Sequence, residues 1–318
     1  MKTRIYVDGY NLYFGCLKGT PYKWLDLIAL SERLLARSGT RNAVLDEQIA
    51  VKFFTAEISE KAAPDPNSLV DQRAYHLALH NHSSPRLQTI KGSYSISVGK
   101  YPRLEEDEYG HQKQPRDSSR VKVWKFEEKQ SDVNVALEAV YDAITDTSLE
   151  QVVFVTNDTD IVPALKKIRA HNELKVRNRV NIGLIVPANS GNADRRPNAS
   201  LSDLADWTID YIQDAELAAS QLPCRLRGSR TTALKPTSWF KYRQKVEEIL
   251  EILSDEQVER SPLRAWNWLS RPLHPADGLP MLTSGSPADW MDDEGALAII
   301  LAHVKAYAEF KKTRATPE

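Results

Sequence analysis

The chain has 318 residues, of which 42% are apolar and 27% charged, and its formal net charge is −1 at pH 7. These values are ordinary for a soluble globular protein, and the length allows two domains. The near-zero net charge excludes a global basic field, so any site for a polyanion has to be a local patch.

Apolar runs and helical patterns alternate through the first two thirds of the chain. In chain order, the sequence predicts a strand at 3–7, a helix at 24–37, a strand at 49–55, a helix at 68–82, a strand or hairpin at 86–98, a polar loop at 99–120 and a strand at 121–124. It then predicts a helix at 132–145, a strand at 151–156, a helix at 161–171, a strand at 180–186 and a helix at 201–217. This alternation indicates a three-layer α/β fold, with helices on both faces of a central parallel sheet.

The composition changes near residue 222. The segment 225–245 contains seven basic residues and no acidic one, and it interleaves aromatic residues that could stack on unpaired bases. A flexible, solvated linker is an equally good interpretation of such a charge run. Helices are predicted at 246–253 and 294–311. We therefore predict three parts, namely an α/β domain at 1–222, a basic linker at 223–245 and a small helical module at 246–318.

Secretion and membrane insertion are not expected from this sequence. The longest apolar run, residues 296–302, is far too short to cross a bilayer, and the first residues lack the apolar core of a signal peptide. The two cysteines, Cys16 and Cys224, are expected to be free thiols in a reducing compartment. We therefore expect a cytoplasmic protein with no membrane partner.

Aspartates stand at the ends of predicted buried strands and at the start of one predicted helix. They are Asp8 after the first strand, Asp132 at the start of the helix 132–145, and Asp158 and Asp160 after the strand 151–156. Because neighbouring parallel strands end at the same edge of a sheet, we expect the four side chains to converge. Clustered carboxylates stay ionised only if a cation or protons offset their repulsion, and Mg²⁺ prefers carboxylate and water oxygens. The pattern predicts a Mg²⁺ or Mn²⁺ site, where Asn11 positions a water or a phosphate oxygen.

Each aspartate also has a purely structural interpretation. Asp8 precedes a glycine and suits a turn, Asp132 suits the first turn of a helix, and Asp158 can cap the helix that follows it. Capping does not require acids after both of two buried strands, nor two aspartates within three residues. The whole set therefore favours a cation site over separate caps.

Several segments, in the same order along the chain, carry one family pattern. They are residues 6–13, 53–56, Arg73 in 71–75, 127–134, 156–163, 181–186 and 201–211. Together they resemble the NYN domain, a PIN-like nuclease fold, over about residues 1–215. The resemblance implies metal-dependent RNA cleavage, with Asp8, Asp132, Asp158 and Asp160 as metal ligands and Asn11 beside them in the catalytic set. The chain departs from the family at Gln130, where glycine is common, and in the long polar segment 99–120.

Basic and polar side chains near the acids predict contacts to phosphates. Lys129 precedes the acidic helix start, Asn157 lies in the second acidic loop, and Arg73 matches the helix after the second strand of the family. Lys166 opens a basic run that extends to Arg179, although a solvated helix face explains that run equally well.

The C-terminal part has its own resemblance. Its apolar and small positions, including Trp268, Pro272, Leu279 and Trp290, are similar to the toxin-binding domain of Xre/MbcA/ParS-type antitoxins. A helical cap or a dimerisation element is the alternative. We therefore expect a protein partner, or self-association, through this module.

The predicted function is that of a Mg²⁺- or Mn²⁺-dependent endoribonuclease. A metal-bound water would attack a phosphodiester of RNA, and DNA is an alternative substrate because the contacts that read a 2′-hydroxyl are not visible in a sequence. The alternative function is a non-catalytic regulatory protein that binds RNA or a protein on the same scaffold.

Overall fold

The computed structural model describes residues 1–315 except 62, 64, 191–194 and 272–284. The strands are Lys2–Asp8 (β1), Val44–Leu45 (β2), Val51–Thr55 (β3), Leu87–Lys91 (β4), Ser93–Pro102 (β5), Arg120–Lys129 (β6), Gln151–Val155 (β7), Asn181–Ile185 (β8), Trp207–Ile209 (β9), Arg225–Arg227 (β10) and Thr232–Leu234 (β11). The α-helices are Gly9–Leu12 (α1), Leu27–Arg37 (α2), Ser68–Ser83 (α3), Ser131–Thr145 (α4), Val162–Glu173 (α5), Ala199–Ser202 (α6), Asp214–Ala218 (α7), Arg243–Ser254 (α8), Pro262–Leu269 (α9) and Glu294–Ala315 (α10).

Seven of the described strands form one parallel sheet. Its order is β4-β3-β1-β7-β8-β9, and β2 pairs with the beginning of β1. The central strands read as nearly continuous apolar runs because helices cover both of their faces. This arrangement confirms the predicted α/β class with a central parallel sheet.

Side chains of the sheet alternate between two apolar layers. Ile5 and Val7 of β1 point into a core that they share with α2 and α3, whereas Tyr6 points into a core shared with α4 and α5. The period of two in a strand produces this division, because successive side chains leave opposite faces. One layer of helices therefore lies on each face of the sheet.

The described C-terminal residues build a third apolar cluster. Side chains of α8, α9 and α10 pack together, with Trp266 and Leu297 among the buried residues. The hairpin β10–β11 lies in the predicted basic linker and packs against α3, where the Asn81 side chain donates to the Thr231 carbonyl at 3.2 Å. The division into domains at residue 222 stays a prediction, and Pro272 and Leu279 of the C-terminal resemblance lie outside the described residues.

The helix predicted at 201–217 is wrong. The structure has the short α6, then β9, then α7 in this region. Trp207 pairs with Gly183 of β8, where a Cβ would lie only 2.2 Å from the indole ring, so the missing side chain leaves room for the tryptophan. Packing at the edge of the sheet overrides the local helical pattern.

A two-stranded ribbon stands apart from the main sheet. β5 and β6 pair antiparallel along their whole length, from Ser93 opposite Lys129 to Pro102 opposite Arg120. The sequence predicted a loop at 99–120 and a strand only at 121–124, so it underestimated both strands. The alternation of β5 is regular from Tyr94 to Val98 and is lost from Gly99 to Pro102, which explains why the prediction stopped at residue 98.

Two simpler predictions concern the thiols and the membrane. Cys16 and Cys224 are both free and buried, as expected. Among the residues that the structure describes, none belongs to a helix that is long and apolar enough to cross a membrane. The cytoplasmic address stays a prediction.

Candidate functional site

Asp8 ends β1 at the carboxyl edge of the sheet. It is only 3% exposed, and its carboxylate accepts three hydrogen bonds, from the Asn11 amide N at 3.0 Å, the Asn11 Nδ2 at 2.6 Å and the Thr156 Oγ1 at 3.0 Å. Burial raises the pKa of Asp8, and the three hydrogen bonds oppose that shift. Asp8 therefore caps α1 and fastens it to the end of β7, whereas its structural interpretation had expected a turn.

The loop after β7 holds the second pair of aspartates. Asp158 accepts a hydrogen bond from the Asp160 amide N at 3.0 Å and so caps the 3₁₀ turn Thr159–Ile161. Asn157 donates to the Arg196 carbonyl at 3.0 Å and accepts from the Asn198 amide N at 2.9 Å. Asn157 thus fixes the loop that follows β8, and its role in substrate binding stays a prediction.

Asp132 lies in the first turn of α4, beside the end of β4. A Cβ on Gly92 would be 2.6 Å from both the Lys129 carbonyl and the Ser131 Oγ, so the chain after β4 passes directly against the start of α4. Gln130 just before the helix has a φ of 78°, a left-handed conformation that favours glycine. The close packing at Gly92 therefore helps to position the start of α4, which carries Asp132.

Electrostatic coupling joins the four aspartates. The pKa of Asp132 rises to about 6, first because of burial and then because of the negative charges of Asp8, Asp158 and Asp160. Among the described residues, Asp132 has no hydrogen-bond or ion-pair partner for its carboxylate. The structure thus gathers the predicted acids at one edge of the sheet, where Asp132 is a half-buried carboxylate whose oxygens are available to a ligand.

The aspartates do not form a metal centre. Over the described residues, no group of three or more His, Cys, Asp and Glu side chains could hold a metal ion. Asp8 and Asp158 direct their oxygens at backbone and side-chain donors, which compete with a cation for the same lone pairs. The metal-ligand roles predicted for the four aspartates therefore have no supporting geometry here.

A cationic flank lies on the β4 side of the same edge. Glu57 pairs with Lys91 at 2.7 Å and with Arg73 at 2.9 Å, and these hydrogen bonds, that of Lys91 first, lower the pKa of Glu57 to about 2. Two cations share one carboxylate, so the flank is net positive. The other predicted cations are dispersed, with Lys129 at 3.7 Å from Glu127 and Lys166 exposed on α5.

Aromatic side chains lie next to Asp8, and sequence reasoning missed them. Tyr10, Tyr13 and Phe14 follow Asp8 directly, with ring centroids 6.1 Å apart for Tyr10 and Phe14 and 5.1 Å apart for Tyr13 and Phe14. Tyr13 and Phe14 are exposed although they are large and apolar. Their i, i+3 and i+4 spacing after the strand was the available signal.

A buried ion cluster was also missed. Asp142 of α4 accepts from the Tyr6 hydroxyl at 2.7 Å and pairs with Lys52 at 2.6 Å and Arg4 at 3.0 Å. Arg4 and Lys52 interrupt the apolar runs of β1 and β3, which was the signal for a buried partner. The cluster fixes α4 on the sheet and thereby holds Asp132 at the site.

Comparison with known proteins decides the family. No family model matches the chain. Over 280 residues the chain is 40% identical to the 6-hydroxy-3-succinoylpyridine 3-monooxygenase HspA of Pseudomonas putida, which covers 86% of this chain and 85% of that protein. The chain belongs to the family of this monooxygenase. The match to a solved structure, a protein of unknown function from Vibrio parahaemolyticus, covers 67% of this chain and 93% of that protein at 17% identity. Its TM-score is 0.35, which is too low to show a shared fold.

The family overturns the predicted function. The resemblance to the NYN domain, the ribonuclease activity and the non-catalytic alternative were wrong, because a relative at 40% identity is a monooxygenase. The Mg²⁺ or Mn²⁺ cofactor was wrong for the same reason, since O₂ chemistry depends on redox-active groups such as flavins. Parallel sheets of any function collect polar residues at their carboxyl edge, so that edge alone does not identify the reaction. RNA, or a protein at the C-terminal helices, as a binding partner stays a prediction.

Proposed function

We propose that this chain is a monooxygenase that acts on a hydroxylated N-heteroaromatic ring with an anionic side chain. The observation that carries the proposal is 40% identity along 85% of a relative that is named for oxygenating 6-hydroxy-3-succinoylpyridine. Identity at this level over nearly the whole length supports a common reaction class. The substrate class follows from the name of that relative and from the side chains at the carboxyl edge of the sheet.

The overall reaction has a simple balance. One atom of O₂ enters the organic substrate and the other leaves as water, so two electrons and two protons are consumed. We assign the electrons to a reduced nicotinamide. A redox cofactor such as a flavin, haem, copper or non-haem iron supplies the activation of O₂ in enzymes of this class.

The acidic part of the carboxyl edge does not fit the phosphates of a flavin nucleotide. The sequence has no glycine-rich phosphate-binding loop, and this part of the edge gathers Asp8, Asp132, Asp158 and Asp160. Carboxylates gathered in one place repel a phosphate. The chain's own residues at this edge are therefore assigned to the organic substrate.

Asp132 is the residue that we assign to proton transfer. Its carboxylate has no partner among the described residues, and a pKa of about 6 leaves it ionised at neutral pH but close to the proton affinity that favours a general base. Removal of the proton from a ring hydroxyl enriches the ring in electrons, which promotes attack by an electrophilic oxygen. Asp132 would therefore activate the substrate.

The surrounding side chains suit the rest of such a substrate. The exposed rings of Tyr13 and Phe14 offer faces and edges on which a planar pyridine can stack. Arg73 and Lys91 supply charge-assisted hydrogen bonds to an anionic side chain, since Glu57 neutralises only one of the two.

The test is substrate-dependent O₂ uptake by the purified full chain. The assay contains NADH or NADPH, with and without added FAD, FMN or Fe(II), and compares 6-hydroxy-3-succinoylpyridine with pyridines that lack the hydroxyl or the carboxylate. We expect the complete substrate to produce matched consumption of O₂ and reduced nicotinamide. Absence of uptake with every combination, or uptake that is equal without substrate, would contradict the proposal.

A further inference from the structure

The β5–β6 ribbon exposes large apolar side chains on one face. Val98 is directly opposite Trp124, and Ile96 is opposite Phe126, so all four side chains leave the same face of the ribbon. Trp124 is 67% exposed and Val98 59%. A two-stranded ribbon is at best marginally stable alone in water, so this apolar face is expected to need a cover.

A second apolar surface runs along α4. Val133, Leu137 and Tyr141 recur every four residues and lie on one stripe of the helix, at 59%, 63% and 66% exposure. The stripe continues at Ile144, which is also exposed. The opposite side of α4 packs into the core, so the exposed stripe is additional to the face that folding requires.

We propose that the ribbon face of one copy docks on the α4 stripe of a second copy, and reciprocally, in a two-fold dimer. Each copy carries both surfaces, and a two-fold axis lets both contacts form and closes the assembly. β6 ends at Lys129 and α4 begins at Ser131, so the two surfaces are neighbours along the chain, yet both are exposed within one copy.

Charge also favours a second copy as the occupant. Lys100 lies directly opposite Lys122 on the ribbon face, and like charges in this position destabilise a strand pair unless an acidic group lies nearby. α4 contains no basic residue, and although its Glu138 and Asp142 are already paired within the chain, Asp132 at its start has no ion-pair partner among the described residues. The α4 stripe of a second copy therefore brings no positive charge to the two lysines and offers them one negative charge.

The two surfaces differ in length, but their combined area reaches the lower end of the range for specific interfaces. A strand pair of ten residues extends about 33 Å, longer than the roughly 22 Å of a fifteen-residue helix. The exposed apolar side chains of both surfaces offer on the order of 600 Å² per copy, against about 800 Å² per partner in a standard interface. Polar contacts around the rim can supply the remainder.

The first test is the oligomeric state of the full chain, measured by sedimentation equilibrium or light scattering. We expect a species of twice the 35.9 kDa chain mass. Trp124→Asp on the ribbon and Leu137→Asp on α4 should each raise the dimer dissociation constant at least tenfold. Val70→Asp, at a 61% exposed apolar position on α3, is the matched control and should leave the dimer intact.

Cross-linking provides a test that does not depend on weakening the protein. A mixture of the Val98→Cys and Leu137→Cys proteins, treated with a short bis-maleimide, should give a covalent heterodimer, because the native cysteines are buried. A mixture of Val98→Cys and Val70→Cys should not.

Circular dichroism of each variant separates misfolding from loss of the interface. A wild-type monomer at high micromolar concentration would overturn the proposal. A dimer that survives both aspartate variants without the expected cross-link, as it would if it formed through the C-terminal helices, would also overturn it.

Discussion

At the scale of single residues, Asp132 links stability to pH. Its folded pKa of about 6 lies above the value of 3.8 expected when unfolded, so the folded state binds the proton more tightly. Stability from this group is present below pH 4 and is lost as pH rises to about 6 and beyond. We therefore expect the thermal midpoint of Asp132→Asn, measured relative to that of the wild type, to be about 2 °C higher at pH 7.5 than at pH 4.5. This value is discounted for solvent screening.

Calorimetry at both pH values measures this difference. Glu32→Gln, an exposed site on α2, is the control and should keep a constant difference from the wild type. A constant difference for Asp132→Asn as well would show that the carboxylate has an ordinary pKa.

Asp132 should also control turnover. Asparagine cannot accept the hydroxyl proton, so Asp132→Asn should lower kcat about 100-fold at pH 7 with a smaller effect on KM. In the wild type, kcat should fall with decreasing pH as the carboxylate becomes protonated near pH 6. Steady-state rates of O₂ uptake test both statements, with Glu32→Gln expected at the wild-type rate. A variant with full activity and an unchanged pH profile would remove Asp132 from the mechanism.

Arg73 should contribute to substrate affinity. It shares Glu57 with Lys91, so Arg73→Gln would remove one of two cations and leave the remaining one neutralised. We expect KM for a carboxylate-bearing pyridine to rise about fivefold, with kcat little changed and no rise for an analogue without the carboxylate. Arg41→Gln at an exposed site is the control. An equal rise for both substrates would argue against a contact with the anionic group.

Sequence reasoning located the acidic residues of the site but not their chemistry. The convergence of Asp8, Asp132 and Asp158 followed from the positions of two strand ends and one helix start, which sequence patterns reveal well. The hydrogen bonds by which Asp8 caps α1, and the close approach of Gly92 to the start of α4, depend on tertiary geometry. In the absence of this geometry, aspartates that cap helices and one carboxylate with a raised pKa resembled a metal centre in the sequence.

At the scale of elements, α4 depends on its buried ion cluster. Asp142→Ala would leave Arg4 and Lys52 with fewer partners in a dry environment, although Glu138 still pairs with Lys52 at 2.6 Å. We expect the free energy of unfolding to fall by about 2–3 kcal/mol, below the full cost of an unpaired buried charge. Urea denaturation measures the loss. Glu32→Ala should change it by less than about 0.5 kcal/mol, and a similarly small change for Asp142→Ala would contradict the anchoring role.

Elements with strong local patterns were predictable, and those shaped by neighbours were not. β1 and β7 are buried apolar runs bounded by polar residues, so their sequences reveal them. β9 has only three residues and exists because Trp207 fits over Gly183 at the edge of the sheet. No periodicity in a single sequence carries that information.

At the scale of the whole molecule, the fold does not determine the function. A parallel three-layer sheet with acids at its carboxyl edge serves many reactions, and the proposed reaction class rests on the similarity to a monooxygenase along most of the chain. The fold explains how distant residues meet, and the proposed function rests on the family. Both support the proposal that Asp132 transfers a proton.

The origin of the oxygen atom in the product tests the central claim most directly. The full chain would be given 6-hydroxy-3-succinoylpyridine and a reduced nicotinamide under ¹⁸O₂ in ordinary water, and the product analysed by mass spectrometry. Monooxygenation predicts one ¹⁸O atom per product molecule and none when the label is supplied as H₂¹⁸O. Product that takes its oxygen from water, or the absence of oxygenated product, would contradict the assignment.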